Sequence, residues 1–260
     1  MTAYEAAILD VDGTIVRGER LLPGAAAGLR ALDDAGVPRL LFSNNPTRSA
    51  DHYRDRVAAH GVAVGEGLAL TSATVTADYL SRSHGSASIY LVGEARLARI
   101  LERAGLEVTG EPADADVVLG SIDREFDYDA LAAAMRALER DVPFYGTDPD
   151  VTIPAGEGTV PGSGAMLAAM TAVAGREPDA ILGKPSEIAA EAALSRLGAD
   201  PSRTLVVGDR LDTDVALGDR MGATTALVLS GITDREDLDG ADVRPDHVLE
   251  DLGDVGRLLD

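Results

Sequence analysis

Two aspartates that close an apolar run are the first residues in the chain whose types and spacing could do chemistry. The run "AAILDVD" (6–12) is typical of a buried strand, and it contains Asp10 and Asp12 directly before Gly13. A carboxylate can attack phosphorus as a covalent nucleophile and become an aspartyl-phosphate. A second carboxylate close to it can protonate the leaving oxygen and then deprotonate water. Gly13 leaves the backbone free to turn, so both side chains can serve one site.

Polar side chains also end three later apolar runs that are typical of strands. These runs are "RLLFSNN" (39–45) with Ser43 and Asn44, "AILGK" (180–184) with Lys184, and "TLVVGD" (204–209) with Asp209. Each alone has a structural explanation, because Asp and Asn commonly make turns after strands. In open α/β sheets, however, ligands bind beyond the carboxyl ends of the strands. The four runs together therefore predict one site at that edge of a sheet.

The predicted site needs a divalent cation, because two clustered carboxylates alone repel an anionic phosphate group. Mg²⁺ suits oxygen ligands and keeps waters that a phosphate can displace, and Asp209 would add a further carboxylate. Lys184 would supply a fixed positive charge that holds the nucleophile and neutralises the transferring group. Ser43 and nearby backbone N–H groups would receive phosphate oxygens, as helix N-termini do.

Lys184 is the one lysine among the 23 basic residues, and the others are arginines. An ammonium is a compact point charge on a slim stem, whereas a guanidinium is larger, planar and forked. A crowded pocket with two carboxylates, a metal and a phosphate has room for the smaller group. The retention of lysine at this one position therefore fits a catalytic charge.

The overall composition argues against several classes of function. The 44 acidic residues give a net charge of −21, which repels nucleic acid and anionic membranes. The acid-rich, lysine-poor composition is similar to that of proteins from salt-rich cytosols, so a halophilic source is a hypothesis. The absence of cysteine excludes disulfides and thiolate chemistry. No signal-peptide pattern or long apolar run is present, so we expect a cytoplasmic protein.

The elements that must position these residues follow from the same pattern. Apolar strands alternate with helices, which predicts a doubly wound parallel sheet of the α/β class, covered on both faces. Further strands are predicted at 88–93, 116–121, 143–147, 224–231 and 247–251, and helices at 24–35, 52–61, 95–104, 128–140, 163–174 and 187–197. We expect a core domain of residues 1–74 and 179–260 with a smaller α/β domain, residues 75–178, inserted into it.

Four segments, in order, resemble the four motifs of the haloacid dehalogenase superfamily of phosphatases. They are "DVDGT" (10–14), "FSNN" (42–45), "GKP" (183–185) and "GDRLDTD" (208–214). As a set these motifs are highly specific. Other segments, such as "LLPGA" (21–25) and "VLSGIT" (228–233), are similar to the branch of the NagD-type and p-nitrophenylphosphatase-like enzymes. The resemblance covers essentially the whole chain and implies the family's Rossmann-like core with an inserted cap.

The resemblance implies a role for each acid of the first and fourth motifs. Asp10 would be the nucleophile and a ligand of Mg²⁺. Asp12 would be the general acid/base, and its backbone carbonyl would also bind the metal. Asp209 would be a further metal ligand. Asp214 would position metal-bound waters, although an acid that stabilises a helix N-terminus is an equal alternative.

The resemblance also implies which residues bind substrate. Ser43 and Asn44 match the phosphate-binding second motif, Lys184 matches the third, and Gly13 belongs to the phosphate-binding first motif.

The inserted domain resembles the family's α/β cap, which excludes water and contacts the substrate. By position, Ile122 and the loop that contains Val151 and Ile153 should face the leaving group. The family usually has Thr-Asn where this chain has Thr147 and Asp148. Capped relatives often dimerise, so a homodimer through the cap is expected.

Two other functions use the same strand-end acids. A phosphotransferase or mutase would return the phosphoryl group to a substrate instead of water. A receiver-like module would only bind phosphate, although it would need about half this length. The main prediction is a Mg²⁺-dependent phosphomonoester hydrolase for a small phosphorylated metabolite, such as a sugar phosphate.

Overall fold

Strands and helices alternate along the chain in the computed structural model, which describes residues 3–62, 65, 67–154 and 158–259. The predicted domain ranges also include the remaining positions, which lie outside the described residues. The strands are β1 (Ala6–Leu9), β2 (Val16–Arg17), β3 (Arg20–Leu21), β4 (Arg39–Ser43), β5 (Ala69–Thr71), β6 (Ser88–Val92), β7 (Glu107–Thr109), β8 (Val117–Gly120), β9 (Phe144–Gly146), β10 (Thr152–Pro154), β11 (Thr159–Pro161), β12 (Ala180–Ile181), β13 (Thr204–Gly208), β14 (Thr224–Val228) and β15 (His247–Leu249). The helices are α1 (Ala25–Asp34), α2 (Ala50–Ala58), α3 (Ser72–His84), α4 (Ala95–Arg103), α5 (Tyr128–Leu138), α6 (Ser163–Ala174), α7 (Glu187–Leu197) and α8 (Ala216–Met221).

The contacts within the chain divide it into two compact units. The first unit comprises Met1–Ser43, Ala50–Leu70 and Ala189–Asp260, and the second comprises Asn44–Ser49 and Thr71–Ile188. The predicted domain bounds, with an insertion at 75–178, stay a prediction. Each unit has its own sheet and its own buried apolar core.

The first unit is built on a six-stranded sheet in the order β15-β14-β13-β1-β4-β5. Its strands pair in parallel, with Leu9 of β1 opposite Val207 of β13 and Leu41 of β4. The strands β1, β4 and β13 are buried along their whole length because helices cover both faces. This arrangement confirms the predicted parallel α/β class.

Three neighbouring strands of this sheet, β13, β1 and β4, carry three of the predicted strand-end groups. The chain runs outward from β1 to β4 on one side and continues through β13 and β14 on the other. The order therefore reverses next to β1, and ligands of doubly wound sheets bind at such a reversal. The residues that follow these strands are Asp10, Asp209 and, at the end of β4, Ser43.

The second unit has a five-stranded sheet in the order β12-β9-β8-β6-β7. The strand pairs are parallel. Apolar residues of α3 and α4 pack on one face, among them Leu80 and Leu97. Residues of α5 and α6, among them Leu138 and Met170, pack with Phe144 on the other face. This unit is therefore also an α/β sandwich with helices on both sides of its sheet.

The run "AILGK" corrects one sequence prediction. We expected it to be a strand of the outer sheet that ends at Lys184, but β12 ends at Ile181 and pairs with β9 in the second unit. The backbone N–H groups of Leu182 and Gly183 continue this contact by donating to the carbonyls of Gly146 and Thr147. A short apolar run predicts a strand, but nothing in it specifies which sheet supplies the partner.

Several elements have no counterpart among the predicted ones. They include the hairpins β2–β3 and β10–β11, the short strands β5 and β7, and the helices α3 and α8. Helix α3 begins with a reciprocal capping box between Thr71 and Thr74. Among the described residues, no helix has both the length and the apolar character that crossing a membrane requires.

Candidate active site

Three buried aspartates meet at the carboxyl edge of the first unit's sheet. Asp10 follows β1, Asp209 follows β13, and Asp214 lies in the turn Leu211–Val215 that leads into α8. Each side chain offers an oxygen within 4.8 Å of the oxygens of the other two. All three residues are buried. The fold therefore brings together three acids that are up to about 200 positions apart in the sequence.

Backbone amides hold two of these carboxylates in place. Oδ2 of Asp214 accepts hydrogen bonds from the N–H groups of Asp209 and Arg210, both at 3.1 Å. Oδ2 of Asp209 accepts from the N–H of Ile232 at 2.8 Å. Asp214 therefore belongs to the acidic cluster and also orders the turn before α8, and both roles that the sequence offers for it stay predictions.

Two glycines make room for the Asp209 carboxylate. Gly13 has a φ of +107°, and a Cβ there would lie 2.2 Å from Oδ2 of Asp209. A Cβ on Gly231 would lie 1.9 Å from the same oxygen. Only glycine fits at either position without a shift of the acid. The sequence predicts a role for Gly13 but none for Gly231. The segment "VLSGIT" around Gly231 resembles the family, but the resemblance implies no role for a particular residue in it.

Asp12 lies outside the buried acidic cluster. Its side chain is 41% exposed, and its Oδ1 accepts a hydrogen bond from Nη1 of Arg56 at 2.8 Å. Its Oδ2 accepts one from the hydroxyl of Tyr53 at 3.0 Å. Burial and the charge of Asp12 raise the pKa of the Tyr53 hydroxyl, which therefore stays protonated and donates. The hydroxyl also hydrogen-bonds with Ser43.

Sequence reasoning missed both residues that contact Asp12. Tyr53 and Arg56 are three positions apart on α2, so they lie on one face of that helix. The helix begins at Ala50, shortly after the second motif ends at Asn45, and this closeness is the one signal that the sequence contains. Arg56 Cζ lies 5.8 Å from the centre of the Tyr53 ring.

Asn44 and Lys184, which belong to the second unit, are joined by two hydrogen bonds. Nδ2 of Asn44 donates to the carbonyl of Lys184 at 3.0 Å, and the N–H of Lys184 donates to Oδ1 of Asn44 at 2.8 Å. Both residues are buried. Gly183 is required next to them, because a Cβ there would lie 2.6 Å from the carbonyl oxygen of Thr147. Residues of the second and third motifs are therefore in direct contact.

The three residues predicted to face the leaving group differ in exposure within the second unit. Ile122 is buried and its N–H donates to Oγ of Ser163 at 3.0 Å, whereas Val151 is exposed. Ile153 lies in the β10–β11 hairpin and is half-buried. A contact of any of these side chains with substrate stays a prediction.

Asp148 lies at the centre of a buried polar network in the same unit. Its Oδ2 accepts hydrogen bonds from the hydroxyls of Thr147 at 2.9 Å and Ser163 at 2.6 Å. Burial, with a smaller contribution from the charge of Asp150, raises the pKa of Asp148 to about 7 against the lowering effect of these hydroxyls. A carboxyl of this kind is a buried titratable group that the sequence did not predict.

Comparison with known proteins identifies the family. The model of the haloacid dehalogenase-like hydrolases matches residues 7–107, and a HAD-hydrolase-like model matches residues 181–255. The 5′-nucleotidase YutF of Bacillus subtilis is 33% identical over 97% of this chain and 97% of its own. The acid sugar phosphatase of Staphylococcus aureus is 33% identical over 98% of each chain.

The fold of a solved structure agrees with this match. The p-nitrophenyl phosphatase from Archaeoglobus fulgidus superposes with a TM-score of 0.92 at 35% identity, over 98% of this chain and 99% of its own. The chain belongs to the haloacid dehalogenase-like hydrolases. Within them it is a phosphatase of the branch of the NagD-type and nitrophenylphosphatase-like enzymes. The family that the four motifs indicated is thereby confirmed.

The acidic cluster of this phosphatase fits a divalent metal ion. Three buried carboxylates within 4.8 Å of one another repel each other strongly unless a cation compensates their charge. Their oxygens are the donor type that hard cations prefer. The first and second motifs lie within the matched range 7–107, and the third and fourth lie within 181–255.

Proposed function

We propose that this phosphatase is a Mg²⁺-dependent phosphomonoester hydrolase that works through an aspartyl-phosphate on Asp10. The observation that carries the proposal is the cluster of Asp10, Asp209 and Asp214 at the reversal of strand order in the sheet. A nucleophilic carboxylate at a cation-binding cluster is what phosphoryl transfer to an aspartate requires. Mg²⁺ would offset the charge of the phosphoryl group there.

The proposed reaction has two steps that share one phosphorus atom. In the first, an oxygen of Asp10 bonds to phosphorus while the bond from phosphorus to the leaving oxygen breaks, and Asp12 gives that oxygen its proton. In the second, Asp12 takes a proton from water, the water oxygen bonds to phosphorus, and the bond to Asp10 breaks. The products are an alcohol and inorganic phosphate, and both aspartates return to their starting states.

Other residues have proposed roles that rest on their motif matches. Asp209 would hold the metal, and Asp214 would do so directly or through water. Ser43 and Asn44 would bind phosphate oxygens, and Lys184 would supply the fixed positive charge. The contact between Asn44 and Lys184 supports a shared function for the second and third motifs.

The proposed substrate is a small phosphorylated metabolite, such as a sugar phosphate. The names of the relatives support the class, since one is a sugar phosphatase and another a 5′-nucleotidase. The net charge of −21 disfavours nucleic acids and anionic membranes as partners. We also propose that the protein works in the cytoplasm and that its acidity is an adaptation to high salt.

Multiple turnover of p-nitrophenyl phosphate tests the proposed function. With Mg²⁺, we expect many equivalents of inorganic phosphate per enzyme, and we expect Asp10→Asn to abolish this release. Asp212→Asn is the matched control, because Asp212 lies in the same turn as Asp214 but is exposed. Absence of multiple turnover would favour a receiver-like module, and transfer to an acceptor without free phosphate would favour a mutase. Activity of Asp10→Asn at the wild-type level would contradict the nucleophile.

A further inference from the structure

We propose that Tyr53 and Arg56 are positioning residues that hold the carboxylate of Asp12 in the orientation for proton transfer. The inference rests on the role proposed for Asp12 as the general acid/base. It concerns two residues of α2, a helix that lies outside the four motifs.

The contacts of Asp12 are divided evenly between its two oxygens. Arg56 donates to Oδ1 and Tyr53 donates to Oδ2, at 2.8 and 3.0 Å. A single hydrogen bond would let the carboxylate rotate about its last torsion, which has broad minima. Two donors on opposite oxygens fix both the plane and the position of the group. Proton transfer to a leaving oxygen depends on such positioning.

The two donors are held more firmly than the acid they contact. Tyr53 is fully buried in the core of the first unit. The Arg56 side chain is only 9% exposed, although Asp12 is 41% exposed. Arg56 also donates to the carbonyl of Gly18, and its guanidinium lies over the Tyr53 ring. The face of α2 is thus a rigid support for a carboxylate that is itself half in solvent.

Stability alone does not account for this arrangement. An ion pair with a carboxylate exposed to this degree contributes little to the free energy of unfolding. Burying a guanidinium and a phenol hydroxyl has a desolvation cost that an apolar pair of similar volume would not have. The two buried donors therefore point to a functional use of Asp12, and that use is orientation.

The same hydroxyl links two motifs. Tyr53 hydrogen-bonds with Ser43 as well as with Asp12. Ser43 is the proposed phosphate-binding residue of the second motif, and Asp12 is the proposed acid of the first. Tyr53 therefore fixes the position of the Asp12 carboxylate relative to the Ser43 hydroxyl.

Two aryl phosphates whose leaving groups differ in basicity test the inference. Phenyl phosphate needs protonation of its leaving oxygen, whereas p-nitrophenolate leaves with little help. We expect Tyr53→Phe and Arg56→Gln each to lower kcat/KM for phenyl phosphate by about tenfold or more, and for p-nitrophenyl phosphate by about threefold or less. Arg56→Lys should recover part of the loss. Arg54→Gln is the matched control, since Arg54 lies on the same helix and pairs only with Asp51 and Asp55 among the ion pairs of the described residues.

The same variants in an Asp12→Asn background separate positioning from structure. If the two residues act through Asp12, adding Tyr53→Phe or Arg56→Gln to Asp12→Asn should change kcat/KM by less than about twofold. Equal losses on both substrates, or losses that persist without Asp12, would overturn the inference. Tyr53→Phe removes one atom, so it keeps the test valid if Arg56→Gln fails to fold.

The design also distinguishes the inference from the function on which it rests. An impaired Asp12→Asn together with wild-type behaviour of the Tyr53 and Arg56 variants would overturn the positioning role alone. Wild-type kcat/KM of Asp12→Asn on both substrates would instead reject Asp12 as the acid.

Discussion

The carboxylate of Asp209 is enclosed so closely by Gly13 and Gly231 that a Cβ on either glycine would displace it from the acidic cluster. Gly231 is the more informative of its two glycine neighbours, because its backbone conformation is open to other residues. A Cβ there would lie 1.9 Å from Oδ2 of Asp209. The requirement at this position is therefore purely steric.

For Gly231→Ala we expect displacement of the Asp209 carboxylate and at least about tenfold weaker activation by Mg²⁺. Titrating the activity with Mg²⁺ measures this effect. Gly110→Ala is the control, since no atom lies within 4 Å of the Cβ it would add. Unchanged Mg²⁺ activation of Gly231→Ala would mean that Asp209 does not bind the metal.

Lys184 gives a second prediction at the scale of single residues. It is buried, and its N–H is fixed by Asn44. For Lys184→Arg we expect kcat to fall by about a hundredfold or more, because the larger planar group cannot replace a compact charge in a closed space. The control is Arg54→Lys, which should be neutral because the Arg54 side chain is partly exposed. Activity of Lys184→Arg near that of the wild type would contradict the catalytic charge.

At the scale of elements, Asp148 joins the ends of β8 and β9 to the start of α6. Its partners are Thr147, after β9, and Ser163, the first residue of α6, which in turn accepts from Ile122 after β8. The pKa of the buried carboxyl is about 7, against an ordinary value of 3.8. Between about pH 4 and pH 7, therefore, the folded state keeps a proton on Asp148 that the unfolded state has already released.

This proton makes stability depend on pH with a definite sign. Because the folded pKa is raised, the free energy of unfolding should fall as pH rises from about 4 to about 7, and stay lower above that range. Asp148→Asn keeps the acceptor oxygen and removes the charge. We expect it to raise the free energy of unfolding by about 2–4 kcal/mol at about pH 8 and to have little effect near pH 4. Denaturant unfolding at both pH values measures this.

The exposed Asp242 provides the matched control, since Asp242→Asn should leave the pH dependence unchanged. An equal effect of Asp148→Asn at both pH values would contradict the raised pKa.

Elements differ in how far the sequence predicts them. The helices at 163–174 and 187–197 match α6 and α7 at both ends, and the strand-end residues Asp10, Ser43 and Asp209 follow neighbouring strands as expected. These predictions succeeded because apolar periodicity is a local property. The partner of β12 and the β10–β11 hairpin depend on contacts that local periodicity does not contain.

The candidate site shows the same division. Motif residues were found from their types and spacing, but Tyr53 and Arg56 were not, because an aromatic and a basic residue on a helix are ordinary in sequence. Only the distances to Asp12 distinguish them. The requirement for Gly231 likewise comes from an acid more than 20 positions away in the chain.

At the scale of the whole molecule, the net charge of −21 destabilises the compact state through self-repulsion. Salt screens this repulsion, with a Debye length of about 3 Å at 1 M. We expect the midpoint of thermal unfolding to rise by several degrees between low salt and molar KCl. Sucrose at equal osmolality is the control, since it is uncharged. No gain with KCl beyond that with sucrose would contradict the proposed adaptation to salt.

The central claim is that the phosphoryl group passes through Asp10, and peptide mass spectrometry after rapid acid quench tests it most directly. Asp12→Asn mixed with p-nitrophenyl phosphate and Mg²⁺ should accumulate the intermediate, because the leaving group needs little protonation while water loses its base. The account predicts one phosphoryl group on Asp10, and none when Asp10→Asn is added. Turnover with no phosphorylated peptide, or phosphate on another residue, would contradict it.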